Sequence, residues 1–408
     1  MKSDLDRLMT QRGLEALIVV SDHSYNAPRD YLTNGARVSG GLVIKKRGAD
    51  PVMVVNSMEI EEAAESGLTV YYQEDWANLF REARGDKSPI DSPLWARCLE
   101  KLGIPHGKIG VYGKGDVNIF IDVIDQLNAA LQHYRFIGET GYTIFDEASV
   151  TKDSTEMARI KSIAERTSAV WQATWDFIAS HRAEGDTVVK SDGTPLTIGD
   201  VKGFVMRALL DHGLENAEMI FAQGRDGGFP HSRGKADMAL KTGQAIVFDL
   251  FPHEVGGGYH HDSTRTWCIN YAPSVVQEAY DQVMEAFRIA HETFEEPGQP
   301  AHTLQDAVLD YFEGKGHQTL RSKPDTIEGY VHGLGHGVGM KIHERPKMSH
   351  INKDDRLQIG NTLTIEPGLY YPERGFGVRV EDMLYIDENG KLVTLTNFHK
   401  DLVLPLRG

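Results

Sequence analysis

The chain has 408 residues, 40% of them hydrophobic, and a formal net charge of −16. That length supports two domains with sizeable cores, and the composition excludes a disordered or fibrous protein. The acidic balance argues against a nucleic-acid partner, and two cysteines, Cys98 and Cys268, are too few for a disulfide framework or a cysteine-built zinc site.

At the amino terminus, MKSDLDRLMTQRGLEALIVV mixes charge into its apolar residues. No apolar run approaches the roughly 18 residues that span a bilayer, so the expectation is a cytoplasmic protein with neither membrane nor export signal. LEALIVVS reads as a β-branched strand, GLVIKKRGADPVMVVN as strand, turn and strand, and SMEIEEAAESG as helix. KIGVYG and DVNIFIDVIDQLNAALQHY add a strand and a helix, giving an α/β domain over residues 1–150. Its histidines, His23, His106 and His133, are scattered and read as surface or capping residues.

A second domain, 151–408, opens with a long predicted helix. Asp153 and Glu156 form a capping signal, and Ile160, Ile163, Val170, Thr174 and Phe177 follow at helical spacing, with Trp171 and Trp175 as core. Another helix runs from Thr197 to a glycine stop at Gly213. The stretch AIVFDLFPHEVGGGYHHDSTRTWCI reads as a hairpin. Two helices follow, from Ser274 to about Glu292 and from Thr303 to about Glu313, each with a capping residue at its start. NTLTIEPGLYY and GFGVRVEDMLYIDENGKLVTLT close the chain as strands and turns.

Chemistry concentrates in the second domain. A two- or four-residue turn around Val255, Gly256 and Gly257 places Asp249 directly opposite Asp262 on one hairpin face. Opposed carboxylates repel unless a cation lies between them; the alternative is a different register with both aspartates at the surface. Glu366 follows the β-like run TLTI, and Glu381 alternates with Arg379 in GVRVED. Each is a carboxylate in apolar surroundings that needs a metal or a partner, and for Glu381 that partner could be Arg379.

HGLGHGVGMKIHE, residues 332–344, carries His332, His336 and His343. Two histidines four apart suggest a zinc-binding helix, but four glycines at roughly 1 kcal/mol each oppose a helix, and Gly333 stands where the catalytic glutamate belongs. The expectation is a loop in which glycine provides positive φ or close approach. Four carboxylates and a histidine match two divalent ions bound through hard ligands.

Taken together, Asp249, the DSTRT segment with Asp262, HGLGHGVGMKIHE, TIEPG and GVRVED resemble the metallopeptidases of the pita-bread fold, the prolidase and aminopeptidase P group in particular, over roughly residues 150–400. The amino-terminal part resembles the companion domain of creatinases and prolidases. The resemblance implies an α/β N-terminal domain followed by an α+β pita-bread domain of the creatinase and methionine aminopeptidase type. It makes Asp249, Asp262, His336, Glu366 and Glu381 the ligands of two divalent ions, Mn2+ foremost with Co2+ or Zn2+ as alternatives, and has Asp262 and Glu381 bridging. Glu366, His231 and His343 become the proton-handling and substrate residues. His332 joins the pocket, and Arg379 is expected to orient Glu381.

The implied activity is cleavage of Xaa-Pro dipeptides by a homodimer. The alternatives are an Xaa-Pro aminopeptidase, or a metal-dependent non-peptidase acting on a small amino-acid-like molecule. Binding modules on this fold lose ligands that this chain keeps. In the family the two aspartates are commonly eleven apart; here they are thirteen apart, an insertion that preserves face but not necessarily pocket wall. Leu250 and Phe251 stand where a small residue is common, and Met383 where threonine is common.

Overall fold

The computed structural model describes residues 2–20, 24–71, 92–216 and 218–408, so His23 lies outside the described residues. The chain divides into two compact units, Met1–Ser149 and Val150–Gly408. Among the described residues no helix is long and apolar enough to cross a membrane.

In the first unit a six-stranded sheet has the order Thr69–Tyr71, Val52–Val54, Leu42–Lys46, Leu14–Val20, Gly107–Gly113, Tyr134–Ile137. Leu14–Val20 is central, antiparallel to Leu42–Lys46 and parallel to Gly107–Gly113. Ala16, Ile18 and Val20 meet Trp95, Leu99, Val123 and Leu127 in one core, and Leu17 and Val19 are buried on the other face, which together explain the apolar run. The helix Val117–Ala130 starts at Asp116, whose side chain accepts from Asn118 N at 2.8 Å. His106 and His133 are exposed and stack on each other at 4.9 Å rather than standing apart.

The second unit opens with the helix Ser154–Ala179 and a reciprocal capping box between Asp153 and Glu156. Trp171 and Trp175 are buried, while Phe177 leaves the core face to Ile178 and stacks on Phe204 of the helix Ile198–Asp211. Helices Ser274–Thr293 and His302–Gly314 follow. Neither has a side-chain cap, because their N-cap positions are Pro273 and Ala301, and Ser274 and Thr303 already lie inside the first turn. Their apolar faces share a core with the strands Thr362–Ile365, Phe376–Arg379 and Asp382–Ile386.

Two sheets frame what lies between them. One has the order Ile220–Gln223, Ala245–Leu250, Ser263–Ile269, Val403–Leu404; the other runs Glu344–Met348, Gly335–Gly337, Thr362–Ile365, Asp382–Ile386, Leu392–Thr394. They meet at an antiparallel bridge between Thr264 and Glu381. The predicted hairpin is present, but Asp249 faces Thr264 rather than Asp262. The same register continues through Pro252 and His261 to the bridge between His253 and His260, so the turn is centred one residue later than expected. A register change of two residues keeps the side-chain alternation, and Asp262 remains on the face of Asp249 as its diagonal neighbour. Phe248, on the opposite face, packs against Trp171 at 4.4 Å.

The glycine-rich segment is not wholly a loop. Gly335–Gly337 is a short strand between two neighbours, with His336 opposite Lys347 and Gly337 opposite Leu363. None of Gly333, Gly335, Gly337 and Gly339 takes a positive φ. Their role is close approach: a Cβ at Gly335 would overlap the Thr364 carbonyl, one at Gly337 the Arg345 carbonyl, and one at Gly339 the Glu344 carboxylate. Gly335→Ala is therefore expected to destabilise the fold by about 1–3 kcal/mol, seen as a lower urea midpoint with an unchanged slope. An unchanged midpoint would show that the two strands can separate freely.

Candidate metal centre and active site

Asp249, Asp262, Glu366, Glu381, His231, His332, His336, His343 and Arg379 all line one cavity of about 430 Å³. Asp249, Asp262, Glu381 and Arg379 are buried, His332, His336 and Glu366 half-buried, and His231 and His343 exposed at the rim. Strand alternation presents the two aspartates, the end of Thr362–Ile365 presents Glu366, and the bridge to Thr264 presents Glu381.

The tightest group is Asp262, His336 and Glu381, whose ligand atoms lie within 4.8 Å of one another. His336 Nε2 is 3.6 Å from Asp262 Oδ2 and 3.5 Å from Glu366 Oε1. Its Nδ1 faces the Gly337 carbonyl at 3.0 Å, an atom that can only accept, so Nδ1 carries the proton. Burial, followed by the neighbouring His343, lowers the His336 pKa to about 3, leaving the ring neutral. An Nε2 lone pair therefore faces carboxyl oxygens, an arrangement that calls for a proton or a cation between them. In addition, Asp249 Oδ1 is buried without a hydrogen-bond partner.

Burial raises the pKa of all four carboxylates. Glu381 is pushed up to about 8, with Asp249 as its strongest charged neighbour in the same direction. Asp262 and Glu366 rise well above the carboxylate range by burial and by repulsion from Glu381. One guanidinium, Arg379, opposes them. Carboxylate oxygens with one imidazole nitrogen form a donor set suited to divalent cations, and the lone pair and the orphaned oxygen fit such an occupant.

Arg379, expected to orient Glu381, reaches it through Thr264 rather than directly. It forms a short ion pair with Asp249 and donates to Thr264 Oγ1 at 3.1 Å, Tyr370 OH at 2.9 Å and the Pro230 carbonyl at 3.2 Å. The chain leaves the strand Phe376–Arg379 before Glu381 bridges to Thr264, so the two side chains do not share one flat strand face. Thr264 makes the direct contact, donating from Oγ1 to Glu381 Oε2 at 2.7 Å. Sequence reasoning missed this residue, although it stands two after Asp262 and so on the same face.

Other missed residues are Arg265 and Tyr370. Arg265 is fully buried, pairs with Asp382 at 2.8 Å and donates to the Glu381 carbonyl at 2.7 Å, fixing the backbone that carries the glutamate. Tyr370 OH lies 3.0 Å from His332 Nε2, and His332 Nδ1 lies 2.7 Å from the Gly333 carbonyl. Both nitrogens of His332 are thus engaged. His343 has its ring 4.4 Å from that of His336 in a T-shaped contact, and burial, ahead of His231, lowers its pKa. Phe251, one of the departures noted in the sequence, forms part of the cavity wall.

The comparisons with known proteins agree with this architecture. A family model described as metallopeptidase family M24 matches residues 158–388. "Probable dipeptidase PepE" of Mycobacterium tuberculosis is 34% identical over 211 residues, 52% of this chain and 52% of that protein. The chain thus spans about half the length of the first curated relatives it matches. An Xaa-Pro dipeptidase of Pyrococcus horikoshii is 26% identical over 401 residues, covering 97% of this chain and 96% of its own. Among solved structures, the X-Pro aminopeptidase from Thermotoga maritima is 20% identical with a TM-score of 0.76, covering 98% of this chain and 100% of the other. These likenesses show an N-terminal α/β domain followed by a pita-bread catalytic domain. The chain belongs to metallopeptidase family M24.

Proposed function

We propose that this protein is a metal-dependent hydrolase of Xaa-Pro peptide bonds, acting as a proline dipeptidase. The observation that carries the reading is the convergence of four carboxylates and the lone pair of His336 on one cavity, in which the buried guanidinium of Arg379 pairs with Asp249. In this reading Asp249, Asp262, His336, Glu366 and Glu381 would hold two divalent cations, Mn2+ foremost and Co2+ or Zn2+ otherwise. Bound there, such ions supply a water of lowered pKa and a polarised carbonyl.

The remaining work falls to side chains. Glu366, half-buried in the cavity wall, takes a proton from the attacking water. His343, with its lowered pKa, is a neutral hydrogen-bond donor at the rim, and His231 stands beside the same opening. These two donate hydrogen bonds to the developing oxyanion or relay to the leaving proline nitrogen, which has no N–H of its own, the proton that Glu366 has taken from the water as the C–N bond breaks. His332, held by Tyr370 and Gly333, shapes the wall. The similarity to proteins named Xaa-Pro dipeptidase supports the substrate class.

The same reading takes residues 1–150 as a creatinase-like companion domain, 151–408 as the catalytic domain, and the protein as a cytoplasmic homodimer. Two buried free thiols are consistent with a reducing compartment, and dimerisation rests on the family resemblance.

The test is metal content together with turnover of Ala-Pro, Ala-Pro-Ala and Ala-Ala, before and after chelation. Ala-Pro should be cleaved fastest, activity should vanish with the metal, and added Mn2+ should restore it. Full activity in a metal-free preparation would sink the proposal, and cleavage of the tripeptide alone would make the enzyme an Xaa-Pro aminopeptidase.

A further inference from the structure

Two charged residues on the cavity wall take no part in the metal cluster. Arg233 Nη2 donates to Glu218 Oε2 at 2.9 Å, with the side chains 60% and 63% exposed. Lys202 ties their backbones together: its Nζ donates to the Arg233 carbonyl at 2.6 Å and to that of Met219, next to Glu218, at 3.1 Å. The framework of this pair is therefore fixed, while the ion pair itself, being exposed, contributes little to stability. A ligand can displace either partner at small cost.

Arg233 and Arg379 are the arginines of the described cavity lining, which contains no lysine. Arg379 is buried, and its donors are directed at Asp249, Thr264, Tyr370 and the Pro230 carbonyl. The other ionisable wall residues are carboxylates and histidines. A substrate bearing a free carboxylate therefore enters an anionic cavity and finds one available guanidinium, whose planar fork suits a carboxylate.

We propose that Arg233 is a specificity-determining residue that receives the C-terminal carboxylate of the peptide, which displaces Glu218 from it. The inference rests on the peptidase reading above. In a dipeptide the carboxylate lies one residue past the scissile bond, and in a tripeptide it lies a residue farther. A cation whose backbone is held on the cavity wall by Lys202 thus discriminates by chain length.

The experiment compares KM and kcat for Ala-Pro and for its C-terminal amide in wild type, Arg233→Ala, Arg233→Lys and Glu218→Gln. Arg233→Ala should raise KM for Ala-Pro about tenfold to a hundredfold with kcat nearly unchanged, and leave the amide unaffected. Arg233→Lys should recover part of the loss. Glu218→Gln should lower KM for Ala-Pro alone, because it removes the competing acceptor. Equal losses on acid and amide in Arg233→Ala, or a wild type indifferent between them, would overturn the role of Arg233 and leave the peptidase reading standing. A wild type inert on Ala-Pro, its amide and Ala-Pro-Ala overturns both.

Discussion

Glu381→Gln enzyme is expected to be inactive yet, in chelator at pH 8, more stable than the metal-free wild type. Glu381 lies in the cluster with Asp262 and His336, and burial and then Asp249 raise its pKa from an ordinary 4.5 to about 8. The folded state thus holds a proton that the unfolded chain gives up, so stability falls as pH rises from 4.5 to about 8. Glutamine is neutral throughout, and the variant escapes that loss. Urea unfolding of the two metal-free proteins should give nearly equal stabilities near pH 4.5, with the variant ahead by on the order of a few kcal/mol at pH 8. On the proposed reading of Glu381 as a ligand, adding Mn2+ should reverse the order, since a cation bound to the native state stabilises wild type by mass action. Turnover should fall about 10³-fold or more, beyond the 10- to 100-fold that losing an outer hydrogen-bond partner costs. Equal stability of the two metal-free proteins at pH 8 would mean that Glu381 is not a crowded charge.

Much of this centre was legible in the sequence because strand alternation has a period of two. The parity of Asp249 and Asp262 survived an error of two residues in register, so their common face was readable while their exact opposition was not. Turn position decides that opposition, and three consecutive glycines, Gly256 to Gly258, leave the turn free to centre one residue later. The four glycines around His336 signalled close approach correctly, but the neighbours they approach, Thr364, Arg345 and Glu344, come from strands that sequence periodicity cannot pair. The partner of Arg379 was illegible for a related reason. Asp249 is 130 residues away, and only the seam between two sheets brings it nearer than Glu381. Helix caps show the local limit: Ser274 and Thr303 are residues that favour N-caps, but backbone geometry put the first turn one or two residues earlier.

The Asp249–Arg379 pair sets up the second large effect, in which one charge has two sources of compensation. Arg379→Ala is expected to destabilise the metal-free protein by about 3–5 kcal/mol, because a buried carboxylate loses its ion partner and Oδ1 already lacks a hydrogen bond. Thr264, Tyr370 and the Pro230 carbonyl lose donors in the same substitution, so Arg379→Lys should restore the charge but only part of the stability. Removing the carboxylate as well, in Asp249→Asn/Arg379→Ala, should cost less than the sum of the single substitutions. If a divalent cation also rests on Asp249, the Arg379→Ala penalty must shrink in metal-loaded protein, where the charge keeps one partner. Denaturant midpoints of wild type, Asp249→Asn, Arg379→Ala and the double variant, each with and without Mn2+, measure that coupling directly. An Arg379→Ala penalty independent of metal would place Asp249 outside the cation site, and the guanidinium would then be its whole compensation.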